Sequence, residues 1–190
     1  EGDTGPNTGG MGAYCPADGG DPAFTPRADG SMAPGIAHVM TTIVEPVLAA
    51  MRARGTPFTG LLYCGLMLTP TGPRVVEFNC RFGDPETQAV LPALGDDVRL
   101  LDAMLAIGRG DALPEMHITA TRATVTTVVA AAGYPTGVRT GDAITLPTVG
   151  DDTIVFHAGT RLADDGTLVT AGGRVLAVTA IGDTLDDAQR

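Results

Sequence analysis

The residue types and spacings best suited to chemistry are concentrated in the segment VVEFNCRFGDPE. If its first part is a β-strand, alternate side chains point to opposite faces, so Glu77, Asn79 and Arg81 share one face. Carboxylate and amide oxygens are the hard ligands that Mg²⁺ and Mn²⁺ prefer. The apolar residues between them are expected to form the opposite, core-facing side: Val76, Phe78 and Cys80.

An arginine beside such ligands suits a phosphate or carboxylate, which its guanidinium can bind through two parallel hydrogen bonds. The run Gly-Asp-Pro-Glu follows directly, with Asp84 and Glu86 in a turn that its glycine and proline restrict. The Glu-x-Asn-x-Arg spacing is also typical of the solvent-exposed face of any amphipathic strand. Spacing alone therefore leaves open both a binding site and an ordinary exposed face. The specialised run after it favours the binding site.

The opening stretch, EGDTGPNTGGMGAY, is rich in glycine. Glycine lets backbone N–H groups approach anionic oxygens closely, and Thr4, Asn7 and Thr8 add side-chain donors. The alternative interpretation is a flexible connector. Because the stretch does not contain G-x-G-x-x-G after a strand, a dinucleotide-binding motif is not indicated.

The charge of the chain narrows the classes of function. Its 190 residues carry a formal net charge of −10, and all 12 basic residues are arginine. This excludes a P-loop and Schiff-base lysine chemistry within the chain, and it predicts neither nucleic-acid nor membrane partners. We also expect no stretch long and apolar enough to cross a bilayer, and no signal peptide. Three cysteines without metal-type spacing suggest reduced thiols and a cytoplasmic protein.

The first part of the chain predicts loops and helices around one hairpin. Residues 1–31 have the composition of a loop, and residues 33–55 have the apolar period of a helix that Pro46 kinks or breaks and Gly55 ends. Apolar runs at 60–69 and 74–80 flank TPTGP and predict a β-hairpin. The helical positions that carry the apolar period are Ile36, Val39, Met40, Ile43, Val44, Val47, Leu48 and Met51.

The second part predicts a different architecture. A helix over 97–110, capped by Asp96 or Asp97, precedes a change of composition near residues 110–117. Threonine, valine and glycine then dominate in short β segments, and GDTLDDAQR begins like a capped helix. The predicted class is α+β, with one domain over 1–113 and a β-rich domain over 114–190.

Four stretches in order, GDTGPNTGGMGAY, GLLYCGLML, VVEFNCRFGDPETQ and VFHAGT…GGRVLAVTAIGDTL, together closely resemble the phosphoribosylamine–glycine ligases, a family of ATP-grasp enzymes. RFGDPE is that family's signature, and the resemblance covers essentially the whole chain. It implies the C-terminal half of an ATP-grasp domain, an antiparallel sheet with helices, followed by a small β-rich C-terminal domain that is truncated at its end. It also implies that the N-terminal half of the parent enzyme, with its nucleotide-clamping part, precedes this chain.

The resemblance implies an activity. ATP phosphorylates the carboxylate of glycine, and the amine of 5-phosphoribosylamine attacks the resulting glycyl phosphate. The products are glycinamide ribonucleotide, ADP and phosphate, in de novo purine biosynthesis. The alternatives left open are a non-catalytic remnant or assembly module, and an ATP-grasp ligase with a different substrate.

The resemblance also assigns roles. Glu77 and Asn79 match the family's ligands for Mg²⁺ or Mn²⁺, and Arg81 is the catalytic residue that steadies the acyl phosphate or substrate. GLLYCGLML, the preceding strand, carries no acid, so two protein ligands are expected. Asp84 and Glu86 would orient the substrate pocket or the arginine. The residues expected at the substrate and phosphate pocket are Asp3, Thr4, Gly5, Pro6, Asn7, Thr8, Gly9, Gly10, Asp84 and Glu86.

Two further expectations concern residues outside those roles. Cys64 and Cys80 are expected to be packing residues rather than nucleophiles, and the three histidines, His38, His117 and His157, to be structural. Because the resemblance places the ATP-contacting lysine outside this chain, the chain alone is expected to bind ATP poorly and to catalyse little.

Overall fold

The computed structural model describes residues 5–17, 23–24, 33–96, 98–116 and 120–190. These residues group into two compact units. The sheet unit comprises the described parts of Glu1–Cys15, Asp84–Ala93 and Arg122–Arg190, and the hairpin unit comprises those of Pro16–Gly83 and Leu94–Thr121.

Strands and helices alternate irregularly along the described chain, which confirms the α+β class. The strands are β1 (Gly12–Cys15), β2 (Tyr63–Thr69), β3 (Gly72–Asn79), β4 (Ala123–Ala130), β5 (Thr153–His157), β6 (Thr160–Leu162), β7 (Leu168–Thr170) and β8 (Arg174–Gly182). The helices are α1 (Pro34–Val39), α2 (Glu45–Ala53), α3 (Glu86–Ala93), α4 (Leu100–Arg109) and α5 (Leu185–Gln189), with a π-helical turn, Met40–Val44, between the first two.

The sheet unit is built on four antiparallel strands in the order β1-β4-β8-β5. Its first strand corrects the expectation that residues 1–31 are loop, because Gly12–Cys15 pairs with β4, with Gly12 opposite Thr127. Four residues are too few to show an alternation, and the strand that they pair with lies far along the chain. A local pattern therefore carried no signal for β1.

Helix α3 packs on this sheet through small and polar residues. Pro92 lies inside α3 and has no N–H, so the carbonyl of Gln88 lacks its helical donor. The hydroxyl of Thr179 donates to that carbonyl at 2.9 Å, and the buried hydroxyls of Thr126 and Thr179 are 2.8 Å apart. The hydroxyl of Thr124 donates to the carbonyl of Ala89 at 2.7 Å. Buried threonines of the sheet thus hold α3 in place by donating hydrogen bonds to backbone carbonyls of the helix.

An apolar cluster lies at the other end of the sheet. Ala131, Val175 and Leu176 are buried there, with Ile144 and Val155 packed against them. The chain then ends in α5, where the hydroxyl of Thr184 accepts a hydrogen bond from the N–H of Asp187 at 3.1 Å. This confirms the capped helix predicted for GDTLDDAQR.

The helical segment of the hairpin unit does not break at Pro46. The N–H of Glu45 bonds to the carbonyl of Met40, five residues earlier, so the helix widens by one residue just before the proline. The hydroxyls of Thr41 and Thr42 donate back to the carbonyls of Ala37 and His38 at 3.1 and 2.7 Å. The proline is accommodated by the wider turn.

Because the helical segment is continuous, Pro34–Ala53 forms a 20-residue helix with a mean hydropathy of 1.3 over its most apolar window. By length and composition it could cross a bilayer, which corrects the expectation that no stretch qualifies. One such helix is weak evidence for a membrane span, since core helices of soluble proteins pass the same test. Gly55, at φ 76°, follows its end as predicted.

Helix α4 begins later than expected. Its N-cap residue is Arg99, whose side chain makes no capping bond, so Asp96 is not the cap, and Asp97 lies outside the described residues. A turn in which Val98 N–H bonds to the Gly95 carbonyl delays the helix. Asp102 supplies the first-turn acid and pairs with Arg99 at 2.7 Å.

The two compact units do not follow the domain boundary predicted after residue 113. β1 and α3 precede that boundary but pack with β4 and β8, which follow it. Sequence continuity does not reveal this, because both segments are short and their partners are distant. As a division into domains, 1–113 and 114–190 stays a prediction.

Thr179→Val should destabilise the sheet unit by about 1–3 kcal/mol, because the partly buried Gln88 carbonyl would lose its donor and the buried Thr126 hydroxyl its partner. Urea unfolding followed by circular dichroism measures this loss. Thr127→Val is the matched control, since Thr127 is an exposed residue of the same sheet. Equal unfolding midpoints for the two variants would contradict the role assigned to the Thr179 hydroxyl.

Candidate functional site

The β2–β3 hairpin places two predicted metal ligands side by side. Tyr63 lies opposite Asn79 and Gly65 opposite Glu77, so these four residues share one face of the two-stranded sheet. The Asn79 side-chain amide donates to the Glu77 carboxylate, with Nδ2 and Oε1 2.9 Å apart. Alternation along the strand therefore brings the carboxylate and the amide together as predicted.

Gly65 makes room for the Glu77 side chain. A β-carbon at residue 65 would lie 3.1 Å from Glu77 Cγ, tighter than an ordinary van der Waals contact. The register also shifts at this point, since Gly65 is opposite Glu77 but Leu66 is opposite Val75. Val76 is the extra residue of this bulge, which changes the direction of the end of β3 where Glu77 and Asn79 lie.

The donor set fits Mg²⁺ or Mn²⁺. Glu77, which is exposed, and Asn79, which is half-buried, offer hard oxygens on one strand face, and such ions favour oxygen ligands and retain water. Among the described residues, no three His, Cys, Asp or Glu side chains lie together in a group that could hold a metal ion. The site that these residues offer is therefore a pair of ligands.

The expected core face of β3 is not buried. Val76 is 67% exposed and Phe78 39%, and Cys80 is exposed as well. The prediction that these residues face a core is wrong for this chain, and Cys80 is not a packing residue here. The reason is physical: alternation shows which residues share a face, but a face is buried only where another layer covers it.

Arg81 does not continue the alternation. Strand β3 ends at Asn79, and the Arg81 guanidinium donates to the carbonyl of Phe82, with Nη1 and O 2.9 Å apart. The structure therefore brings Glu77 and Asn79 together on the strand and leaves Arg81 in the turn after it. Its role as the catalytic residue stays a prediction.

In the sheet unit, Asp84 and the glycine-rich loop meet at Arg174. Arg174 Nη2 is 2.9 Å from the Asp84 carboxylate, and Nη1 donates to the carbonyls of Gly10 at 3.1 Å and Asp84 at 2.8 Å. Gln88 donates to the other carboxylate oxygen of Asp84 at 2.9 Å. The N–H of Gly9 donates to the Tyr134 hydroxyl at 3.1 Å.

Close approach requires glycine at residue 10 and leaves little room at residue 9. A β-carbon at Gly9 would lie 3.0 Å from Arg174 Cζ, and one at Gly10 would lie 2.7 Å from Pro85 Cδ. Gly5 has open space around it, so no comparable constraint acts there. Asp3 and Thr4, predicted for the same pocket, lie outside the described residues, as does His117.

Glu86 has a structural explanation. It is the first residue of α3, where a carboxylate interacts favourably with the positive end of the helix dipole. Pro6, Asn7 and Thr8 are exposed in the described loop. His157 is also exposed, and its Nδ1 is 3.0 Å from the Thr160 hydroxyl, in keeping with a structural role.

Sequence reasoning missed Arg174, Tyr134 and Gln88. Arg174 lies in the GGRVLAVTAIG stretch that supports the resemblance, but no spacing relates it to Asp84, 90 residues away. Gln88 follows Asp84 by four residues, a helical spacing, and this is the only local signal in the sequence that the two side chains could be in contact. Tyr134 gave none.

Comparison with known families places the chain among the ATP-grasp proteins. The family model described as "Phosphoribosylglycinamide synthetase, ATP-grasp (A) domain" matches residues 1–87, and "Phosphoribosylglycinamide synthetase, C domain" matches residues 124–190. The chain belongs to the phosphoribosylglycinamide synthetase family, which confirms the resemblance found in the sequence.

Named relatives are similar along the whole chain. It is 49% identical to a phosphoribosylamine–glycine ligase of Chlorobaculum tepidum, covering 99% of this chain and 42% of the relative. It is 46% identical to a bifunctional purine biosynthetic protein of Pichia angusta, covering 99% of this chain and 22% of that protein. The chain thus spans about two fifths, or less, of the length of these relatives.

A solved structure has the same fold. The crystal structure of a phosphoribosylamine–glycine ligase from Thermotoga maritima matches with a TM-score of 0.76 and 33% identity. The match covers 100% of this chain and 43% of the solved chain.

Thiol alkylation should separate the cysteines. Burial raises the pKa of the Cys15 and Cys64 thiols, so less of each is the reactive thiolate at a given pH, whereas Cys80 is exposed. With iodoacetamide at pH 8, we expect Cys80 to be alkylated before Cys15, as measured by mass spectrometry of peptides. In urea the rates should converge. Faster alkylation of the folded chain at Cys15 would contradict the burial described here.

Proposed function

We propose that this chain contributes the metal-binding part and the C-terminal domain of an enzyme that ligates glycine to 5-phosphoribosylamine. ATP would activate the glycine carboxylate as glycyl phosphate, and the products would be glycinamide ribonucleotide, ADP and phosphate. The support is the match to both domains of the family, at 46–49% identity to proteins named for this ligation.

One structural observation carries the proposal furthest, the pairing of Glu77 and Asn79 within the segment that matches the A domain. These residues would hold Mg²⁺ or Mn²⁺. When bound, the ion would neutralise phosphate charge, which is the main demand of phosphoryl transfer. Glu77 contributes negative charge and Asn79 a neutral oxygen, so the pair would attract a cation and still leave room for phosphate.

The remaining predicted residues would bind the substrates. Arg81 would steady the acyl phosphate, since a guanidinium binds planar or tetrahedral anions through several N–H groups. The loop from Asp3 to Gly10 would cover the glycine and phosphoribosylamine pocket, and Asp84 would keep that loop in place through Arg174. For Glu86 we propose a supporting role at the start of α3.

We further propose that the chain alone turns over little, and that it acts in the cytoplasm. The relatives named for the activity are more than twice its length, so the chain matches only part of what they contain. A non-catalytic or assembly role for the chain is the second candidate, and the same difference in length favours it.

Mn²⁺ binding tests the metal site without requiring turnover. Mn²⁺ should broaden the amide NMR signals of Tyr63, Gly65, Glu77 and Asn79, and Glu77→Ala should weaken this binding about tenfold or more because it removes the only charged ligand of the pair. Glu115→Ala is the matched control, an exposed glutamate that belongs to neither hairpin strand. Equal Mn²⁺ affinity in the two variants would overturn the site.

ADP formation with ATP, Mg²⁺, glycine and freshly generated phosphoribosylamine tests the reaction. We expect little release from the chain alone and glycine-dependent release when it is joined to the part of the Chlorobaculum tepidum relative that it does not match. Glu77→Ala should abolish that release. Failure of the joined protein to release ADP would count against the proposed reaction and favour the non-catalytic role.

A further inference from the structure

We propose that Arg174 is a positioning residue of the ligase site, which holds the glycine-rich loop and Asp84 in one arrangement. This inference rests on the proposed function for the meaning of the site, but its geometry stands by itself. It assigns to the segment that matches the C domain a direct part in shaping residues that match the A domain.

One guanidinium makes three of the bonds that hold this arrangement. Nη2 pairs with the Asp84 carboxylate, while Nη1 donates to the carbonyls of both Asp84 and Gly10. A single side chain therefore joins two segments that are distant in sequence. The rigid fork of arginine donors suits this task, whereas a lysine ammonium cannot reproduce its planar geometry.

The Arg174 side chain is partly shielded from solvent. The Arg174 side chain is 26% exposed, whereas Arg139, in a comparable ion pair with Asp142 at 2.8 Å, is 68% exposed. Exposed pairs contribute little because water and salt screen them, and Arg174 is the better shielded of the two arginines, while the Asp84 carboxylate is 47% exposed and that of Asp142 39%. The two pairs lie in the same unit, so they form a natural comparison.

The backbone of Arg174 is held by the four-stranded sheet. This arginine is the first residue of β8, lies opposite Ala130 of β4, and β8 is an interior strand of the four-stranded sheet. The preceding Gly173 lies against the Tyr134 ring, where a β-carbon would be 2.6 Å from Cδ2. The sheet thus fixes Arg174 and Tyr134 together, and these hold Gly10 and Gly9 respectively.

The consequence concerns the loop. Gly9 and Gly10 precede β1, so the ladder of the sheet does not include them, and their described hydrogen bonds lead to Tyr134 and Arg174. Losing the guanidinium should free the Gly10 carbonyl and loosen Asp84 at the same time. Substrate binding would then weaken because the loop would have to be ordered on each encounter.

Hydrogen exchange of the chain tests the positioning directly. Arg174→Ala should speed amide exchange at Gly9, Gly10 and Met11 on the order of tenfold, because local opening of the loop becomes easier. Arg139→Ala, the matched control, should leave these amides unchanged. Unchanged exchange in Arg174→Ala, with the fold intact by circular dichroism, would overturn the proposal.

Two milder variants keep the test decisive if Arg174→Ala does not fold. Arg174→Lys retains the charge but not the fork, so it should give intermediate exchange. Tyr134→Phe removes only the acceptor of the Gly9 N–H and should speed exchange at Gly9 more than at Met11. Exchange like the unaltered chain in both variants would overturn the proposal.

Kinetics of the joined protein then test the effect on the site. We expect Arg174→Ala to raise KM for glycine or phosphoribosylamine on the order of tenfold with a smaller fall in kcat, and millimolar guanidinium to restore part of it. Unchanged KM and kcat would overturn the link to catalysis. Absence of activity in the unaltered joined protein would instead overturn the proposed function, while the exchange results would still decide the positioning of the loop.

Discussion

The hydrogen bond from the Thr179 hydroxyl to the Gln88 carbonyl is the interaction on which the rest of the sheet unit depends. Pro92 leaves that partly buried carbonyl without a helical donor, and a carbonyl shielded from water without a donor is costly. Supplying the donor from β8 fixes helix α3 on the sheet. Since α3 begins two residues after Asp84, the same bond fixes the place where the signature run meets Arg174.

The two candidate site regions differ in how they are supported. Asp84 and the loop glycines are held by a four-stranded sheet, a docked helix and a partly covered ion pair. Glu77 and Asn79 lie on a two-stranded hairpin whose apolar side chains are exposed. A two-stranded hairpin is marginally stable alone, so in this chain Glu77 and Asn79 are ordered mainly by the ladder and by the hydrogen bond between them.

Family membership and site geometry answer different questions. Similarity along the whole chain identifies the family and supports the ligation as its reaction. It does not say which residues hold the loop, and the structure adds that residues of the C-domain match reach those of the A-domain match through Arg174 and Tyr134. A C domain with this role would be part of the site rather than an appendage to it.

The sequence by itself determined what depends on short spacings. Alternation placed Glu77 and Asn79 on one face, and glycine after a helix marked the end at Gly55. It also predicted the hairpin and the capped C-terminal helix. These features follow from backbone geometry within a few residues, where side-chain type and period carry the information.

Only the tertiary structure decided what depends on distant partners. Strand β1, the exposure of Val76 and Phe78, and the pairing of Asp84 with Arg174 across 90 residues all lack a local signal. The periodicity of a sequence shows which side chains point to the same face. Whether another layer covers that face, and which charged residue pairs with a given side chain, is set by packing between segments far apart in the chain.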